Sequence, residues 1–141
     1  MIKKVWIIAA FLLFSTGVIY FSGCKSLDDC NCGGNQSVSF ANDIQEIFTN
    51  HCAISGCHNS ASARAQLVLE EGLAYAKLVN VTSFREPDYK RVFPADAYHS
   101  YLVIKLEGRQ TVGSRMPLTG SITDIEVKNI KTWINDGAQD N

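Results

Sequence analysis

Residues 50 to 59 read NHCAISGCHN, which brings two thiols, Cys52 and Cys57, and the imidazole of His58 into one short stretch. This grouping constrains the fold because the segments around it supply only short helices. Phe40, Ile44, Ile47 and Phe48 recur at the spacing of one helix face, predicting a helix from near Phe40 to His51 that runs directly into the cluster. EEGLAYAKLV predicts a second short helix. DAYHSYLVIKLEG predicts a third, of about ten residues, with Asp96 as its N-cap and Gly108 past its end. The last helix is the best specified. Thr123 and Glu126 form a capping box, Ile122 and Val127 a hydrophobic staple, and Val127, Ile130, Trp133 and Ile134 share one face before Gly137 ends it.

The stretches between are irregular. Pro87 and Pro94 turn residues 80 to 96 into an ordered loop, and RQTVGSRMPLTGS is a second one. No alternating run demands a sheet and no internal repeat is present. The expectation is an all-α fold of three to four short helices with long loops. Such helices bury little alone, so a domain of about 100 residues built this way needs a staple, a metal or a cofactor at its centre.

The 13 Lys and Arg against 14 Asp and Glu give a net charge of −1, which excludes the basic footprint of a nucleic-acid binder. Lys3 and Lys4 precede an apolar run from Val5 to Phe14, the layout of an export signal. Ser15, Thr16 and Gly17 interrupt that run, which is short for the roughly 20 residues of a bilayer crossing. Phe21, Ser22, Gly23 and Cys24 resemble a bacterial lipobox, implying that Cys24 is lipidated and tethers the chain to a membrane. The segment after it holds almost nothing apolar and reads as a flexible linker. The expected organisation is a signal peptide over 1–23, a linker over 24–38 and one domain over 39–141. Cys30 and Cys32 stand in a C-x-C spacing that strains a disulfide, and no role is assigned to them.

Three chemistries use the residue types of the cluster. A thiol pair followed directly by histidine is the order needed for covalent haem attachment, where both thiols bond the macrocycle and the adjacent imidazole reaches the iron. Here four residues separate the thiols instead of the usual two, with Ser55 and Gly56 able to turn the longer loop. A Cys52 to Cys57 disulfide suits an oxidising compartment. Zinc would need a fourth ligand such as His51 or His99. For haem, a second axial ligand is available in Met116, 58 residues beyond His58, and Met1 in the leader is the one other methionine.

The segments IFTNHCAISGCHN, SYLVIKLEG, RMP and IKTWINDGA together resemble a small class I type cytochrome c domain of bacterial lipoproteins, over about residues 38 to 139. That resemblance implies covalently attached haem c held between crossing N-terminal and C-terminal helices, with Phe48 and Trp133 on the facing sides. It implies thioethers at Cys52 and Cys57, proximal ligation by His58 and distal ligation by Met116. His99, in DAYHSYLV, is the competing distal candidate, and His51 is read as a surface residue. Both axial positions filled by protein leave an electron carrier, not an enzyme. Its partners would be redox proteins or a membrane electron-transfer complex, reached from a lipid anchor on the periplasmic face or cell surface. The rival readings are a five-coordinate haem sensor or weak peroxidase, and a haem-free, disulfide-stabilised surface lipoprotein.

Overall fold

A computed structural model describes residues 37–141. The export signal, Cys24, Cys30, Cys32 and all but the last two residues of the expected linker lie outside the described residues. Val38, counted with that linker, packs against the hydrophobic core. No described helix is long and apolar enough to cross a membrane.

The apolar spacing from Phe40 gives a continuous helical stretch, wound wide as a π-helical turn over Phe40–Ile44 and then regular as α1, Gln45–His51. The exposed amide groups of its first turn are all met. Ser39 Oγ accepts from the Asn42 N–H at 3.2 Å, while the Phe40 and Ala41 N–H groups donate to the side chain and backbone carbonyl oxygens of Asn141 at 2.8 and 2.9 Å. After a single 3-10 turn over Arg64–Gln66 come α2, Ala74–Leu78, α3, Tyr101–Glu107, and α4, Asp124–Asn135. Between α2 and α3 only isolated bridges form, Val79 with Val92 and Thr82 with Lys90. The described residues are therefore all-α, with long loops.

α4 starts where its sequence requires, with the full capping box of Thr123 and Glu126 present. α3 does not. Asp96 spends its side chain on a turn of its own, accepting from the His99 N–H at 3.0 Å, and the chain enters α3 four residues later at Ser100. Ser100 is fully buried and its hydroxyl donates to the Asp96 carbonyl at 2.8 Å, so the expected ten-residue helix is shortened to seven.

Phe40 joins the two ends of the domain. Its ring meets Trp133 and Tyr75 at 5.2 Å each and Phe48 at 6.3 Å, the tilted and edge-on separations that aromatic rings favour. The first helical segment packs on α4 through Phe40 and Trp133, and Phe48, the other residue that the resemblance places on a facing side, is buried beside Phe40. Leu78, Val103, Leu106 and Ile130 complete the core.

Candidate functional site

His58 follows a loop whose two extra residues cost the cluster nothing. The His58 N–H donates to the Cys52 carbonyl at 3.0 Å and the Cys57 N–H to the Ile54 carbonyl at 3.0 Å, folding the chain back on itself. The surplus bulges outward: Ile54 is exposed, and Gly56 makes the turn at φ +79°, a left-handed conformation costly to residues with a Cβ. Cys52 and His58 are thus drawn together although six positions apart.

The imidazole is held by the backbone. Its Nδ1 lies 3.3 Å from the Leu67 carbonyl. A carbonyl only accepts, so Nδ1 carries the hydrogen and the lone pair of the neutral ring is on Nε2. Burial lowers the His58 pKa, against the pull of the backbone hydrogen bonds, and the nearby Arg91 and Arg64 cations lower it further. The ring is therefore neutral at physiological pH, the form that binds metal. A backbone acceptor behind the far nitrogen is also what fixes a metal-binding histidine in place.

Cys52 and Cys57 are free thiols, not a disulfide. Burial raises the Cys52 pKa to about 12, with Cys57 and Glu126 adding to the shift. Zinc is poorly served. Among the described residues no three His, Cys, Asp or Glu side chains are grouped as a metal-binding set.

Met116 reaches the same place from the loop between α3 and α4. Its N–H donates to the Lys105 carbonyl at 2.9 Å, and Arg115 Nε donates to the Leu106 carbonyl at 2.7 Å. Both carbonyls belong to the last turn of α3, where a helix has no acceptors' partners of its own. Two consecutive residues of the loop therefore cap the helix, and the methionine is half-buried against the core as a result.

Cys52, Cys57, His58 and Met116 all line one cavity of about 560 Å³, within the usual range for small-molecule and cofactor sites. Leu67, Leu69, Leu78, Leu102 and Leu106 make its walls largely apolar, while Ile54, Phe84, Val112 and Leu118 stand exposed around it. Its lining includes Arg64, Arg85, Arg91 and Lys105 and no acidic residue. A thioether, an imidazole with a free nitrogen and two thiols on an apolar chamber form a donor set suited to a flat metallated macrocycle.

The other histidines are placed differently from expectation. His99 is not in the cavity lining; it is exposed, with Nδ1 2.7 Å from Asp96 Oδ2 and its ring edge-on to Tyr98. Of the two residues weighed for the second ligand position, only Met116 lines the cavity, whose lining also includes His51. His51, read as a surface residue, is half-buried and pairs through Nε2 with Glu126 Oε1 at 2.9 Å, linking α1 to the capping box of α4.

One residue important to the site escaped the sequence reading. Arg91 is 9% exposed and its guanidinium donates to the carbonyls of Lys77, Ala65 and Gln66 at 2.8, 3.0 and 3.1 Å. It thereby fixes Ala65, which lines the cavity, and its neighbour Gln66, both with positive φ. Nothing in the local sequence signals it, since its partners lie 14 to 26 residues away. Comparison with protein-family models, curated proteins and solved structures gave no match.

Proposed function

We propose that this cavity takes one haem and that the domain is a c-type cytochrome acting as a one-electron carrier. The observation that carries the reading is the convergence of Cys52, Cys57, His58 and Met116 on one apolar chamber from both sides of a 58-residue interval. Packing of the first helical segment on α4 supports a cytochrome c-like arrangement.

In this reading Cys52 and Cys57 would hold the macrocycle by thioethers, and His58 through Nε2 and Met116 through its sulfur would bind its iron. Such a haem supplies reversible exchange of a single electron at its iron. The chain's contribution would be to supply two iron ligands of its own, leaving no place for a substrate, and to set the potential. Methionine, an apolar wall and four basic residues without an acid all favour the electron-rich state. The exposed apolar rim of Phe84, Val112 and Leu118 offers redox partners an approach to the cavity. Export and a lipid tether at Cys24 would put that exchange at a bacterial membrane surface.

Potentiometric titration of protein made in cells with haem-attachment machinery tests the function. A single one-electron wave with a low-spin, six-coordinate spectrum in both oxidation states is expected. A five-coordinate spectrum that takes up cyanide or carbon monoxide without displacing a protein ligand would instead make the domain a sensor or weak peroxidase.

A further inference from the structure

Tyr101 opens α3, is 8% exposed and lines the cavity, yet its hydroxyl has no hydrogen-bond partner among the described residues. A buried hydroxyl left unpaired is costly, so a partner from outside the chain is called for. Its neighbours define that partner. The Lys105 ammonium sits 5.9 Å from the Tyr101 ring centroid, and Arg85 lines the same cavity with no ion pair among the described residues. Lys105 Nζ donates to the Val112 carbonyl at 3.3 Å, and the cavity lining that holds it with Arg85 contains no acid to compensate either cation. The acid that acts on Tyr101 is Glu86, whose carboxylate already accepts from Thr111 Oγ1 at 2.7 Å and which is outside the lining. Tyr89, the remaining titratable neighbour, stacks on Tyr101 with centroids 5.8 Å apart.

We propose that Tyr101, Arg85 and Lys105 form a carboxylate-binding corner of the cavity. All three side chains offer donors: a phenolic O–H, a planar guanidinium fork and an ammonium. An ionised carboxylate is acceptor-only and takes all three, the Arg fork being matched to its two oxygens. As to source, the corner rests on the haem reading, because haem carries carboxylate side chains; a free carboxylate is the other source of the same chemistry.

Intact mass first establishes whether the chain carries haem, independently of this corner. On haem-bearing protein, wild type is compared with Tyr101→Phe, Arg85→Gln and, as a charge control, Lys90→Gln, whose ammonium bonds Thr82 and does not line the cavity. The readouts are thermal midpoint and the pH dependence of the reduction potential. Tyr101→Phe is expected to lower the midpoint. Arg85→Gln is expected to raise the carboxylate's apparent pKa by about one unit, a tenfold change in proton affinity, while Lys90→Gln changes neither. A flat pH profile in wild type, with acetate raising the midpoint of wild type but not of Tyr101→Phe, would support the corner with a free carboxylate as its ligand. A Tyr101→Phe protein with unchanged or higher midpoint, wild-type pH profile and no loss of any acetate response would overturn it, since removing an orphan hydroxyl should then be neutral or stabilising. If the chain carries no haem, the electron-carrier reading fails, and saturable acetate binding at Tyr101, followed by NMR, decides the corner alone: binding supports it and none overturns it.

Discussion

Each of the two candidate iron ligands is held by one backbone carbonyl: Leu67 behind His58 Nδ1, and Lys105 behind the Met116 N–H. The two should respond differently to mutation. His58→Ala is expected to abolish the low-spin spectrum, because the position that orients the imidazole is lost with the ring. Met116→Ala is expected to leave haem covalently attached, remove the methionine-to-iron charge-transfer absorption and lower the potential. An unchanged potential in Met116→Ala would take that residue out of the site. At this scale the sequence was legible where chemistry is carried by residue type and adjacency, as at Cys57 and His58. It was not legible for His51, His99 or Arg91, because an ion pair to a residue 75 positions away, a turn that claims Asp96, and carbonyls from distant loops leave no local pattern.

At the scale of elements, the C-terminus of α3 determines where Met116 sits. Gly108 ends that helix at φ +77°, and a Cβ there would come 3.3 Å from Arg115 Cδ. Gly108→Ala therefore adds backbone strain, about 1 kcal/mol or more, and pushes on the residue that caps the helix beside Met116. Arg115→Ala removes the bond to the Leu106 carbonyl. Both variants are expected to loosen the methionine, read as an affinity for added imidazole raised by about tenfold, or ~1.4 kcal/mol; wild-type affinity in both would show that the helix end does not position the loop. α4 stands on its own cap, so Thr123→Ala should cost about 1 kcal/mol by denaturant unfolding while leaving the spectrum intact. Its boundaries were readable because a capping box is written within four residues, whereas the start of α3 depends on the burial of Ser100 among residues that only the tertiary fold assembles.

Over the whole molecule, the two ends of the domain close on each other through Phe40 and Trp133 in the core and through His51 and Glu126 nearer the surface. Hydrogen bonds from the Thr123 backbone, then from the Thr123 and His51 side chains, hold the Glu126 carboxyl below its ordinary 4.5, with burial opposing them. A depressed folded pKa gives stability that is present above the ordinary value and is lost as pH falls through the folded value. The midpoint difference between wild type and Glu126→Gln should therefore shrink as pH drops from ~6 to ~3; a difference constant over that range would mean that ionised Glu126 is not what joins the ends. Trp133→Ala, by emptying the contact with Phe40, is expected to cost ~3–5 kcal/mol. The all-α character could be read in advance from helical spacing, whereas the meeting of the two end helices was implied only by the family resemblance. The cavity could not, since its wall is made of loops whose course is fixed by buried groups such as Arg91. The most direct test of the account is the mass of the intact mature domain, taken with its pyridine haemochrome spectrum after production in cells that attach haem. The account predicts a gain of one haem and the spectrum of two thioethers, from Cys52 and Cys57. A chain at its bare polypeptide mass, made alongside a cytochrome that is correctly matured in the same cells, would contradict it.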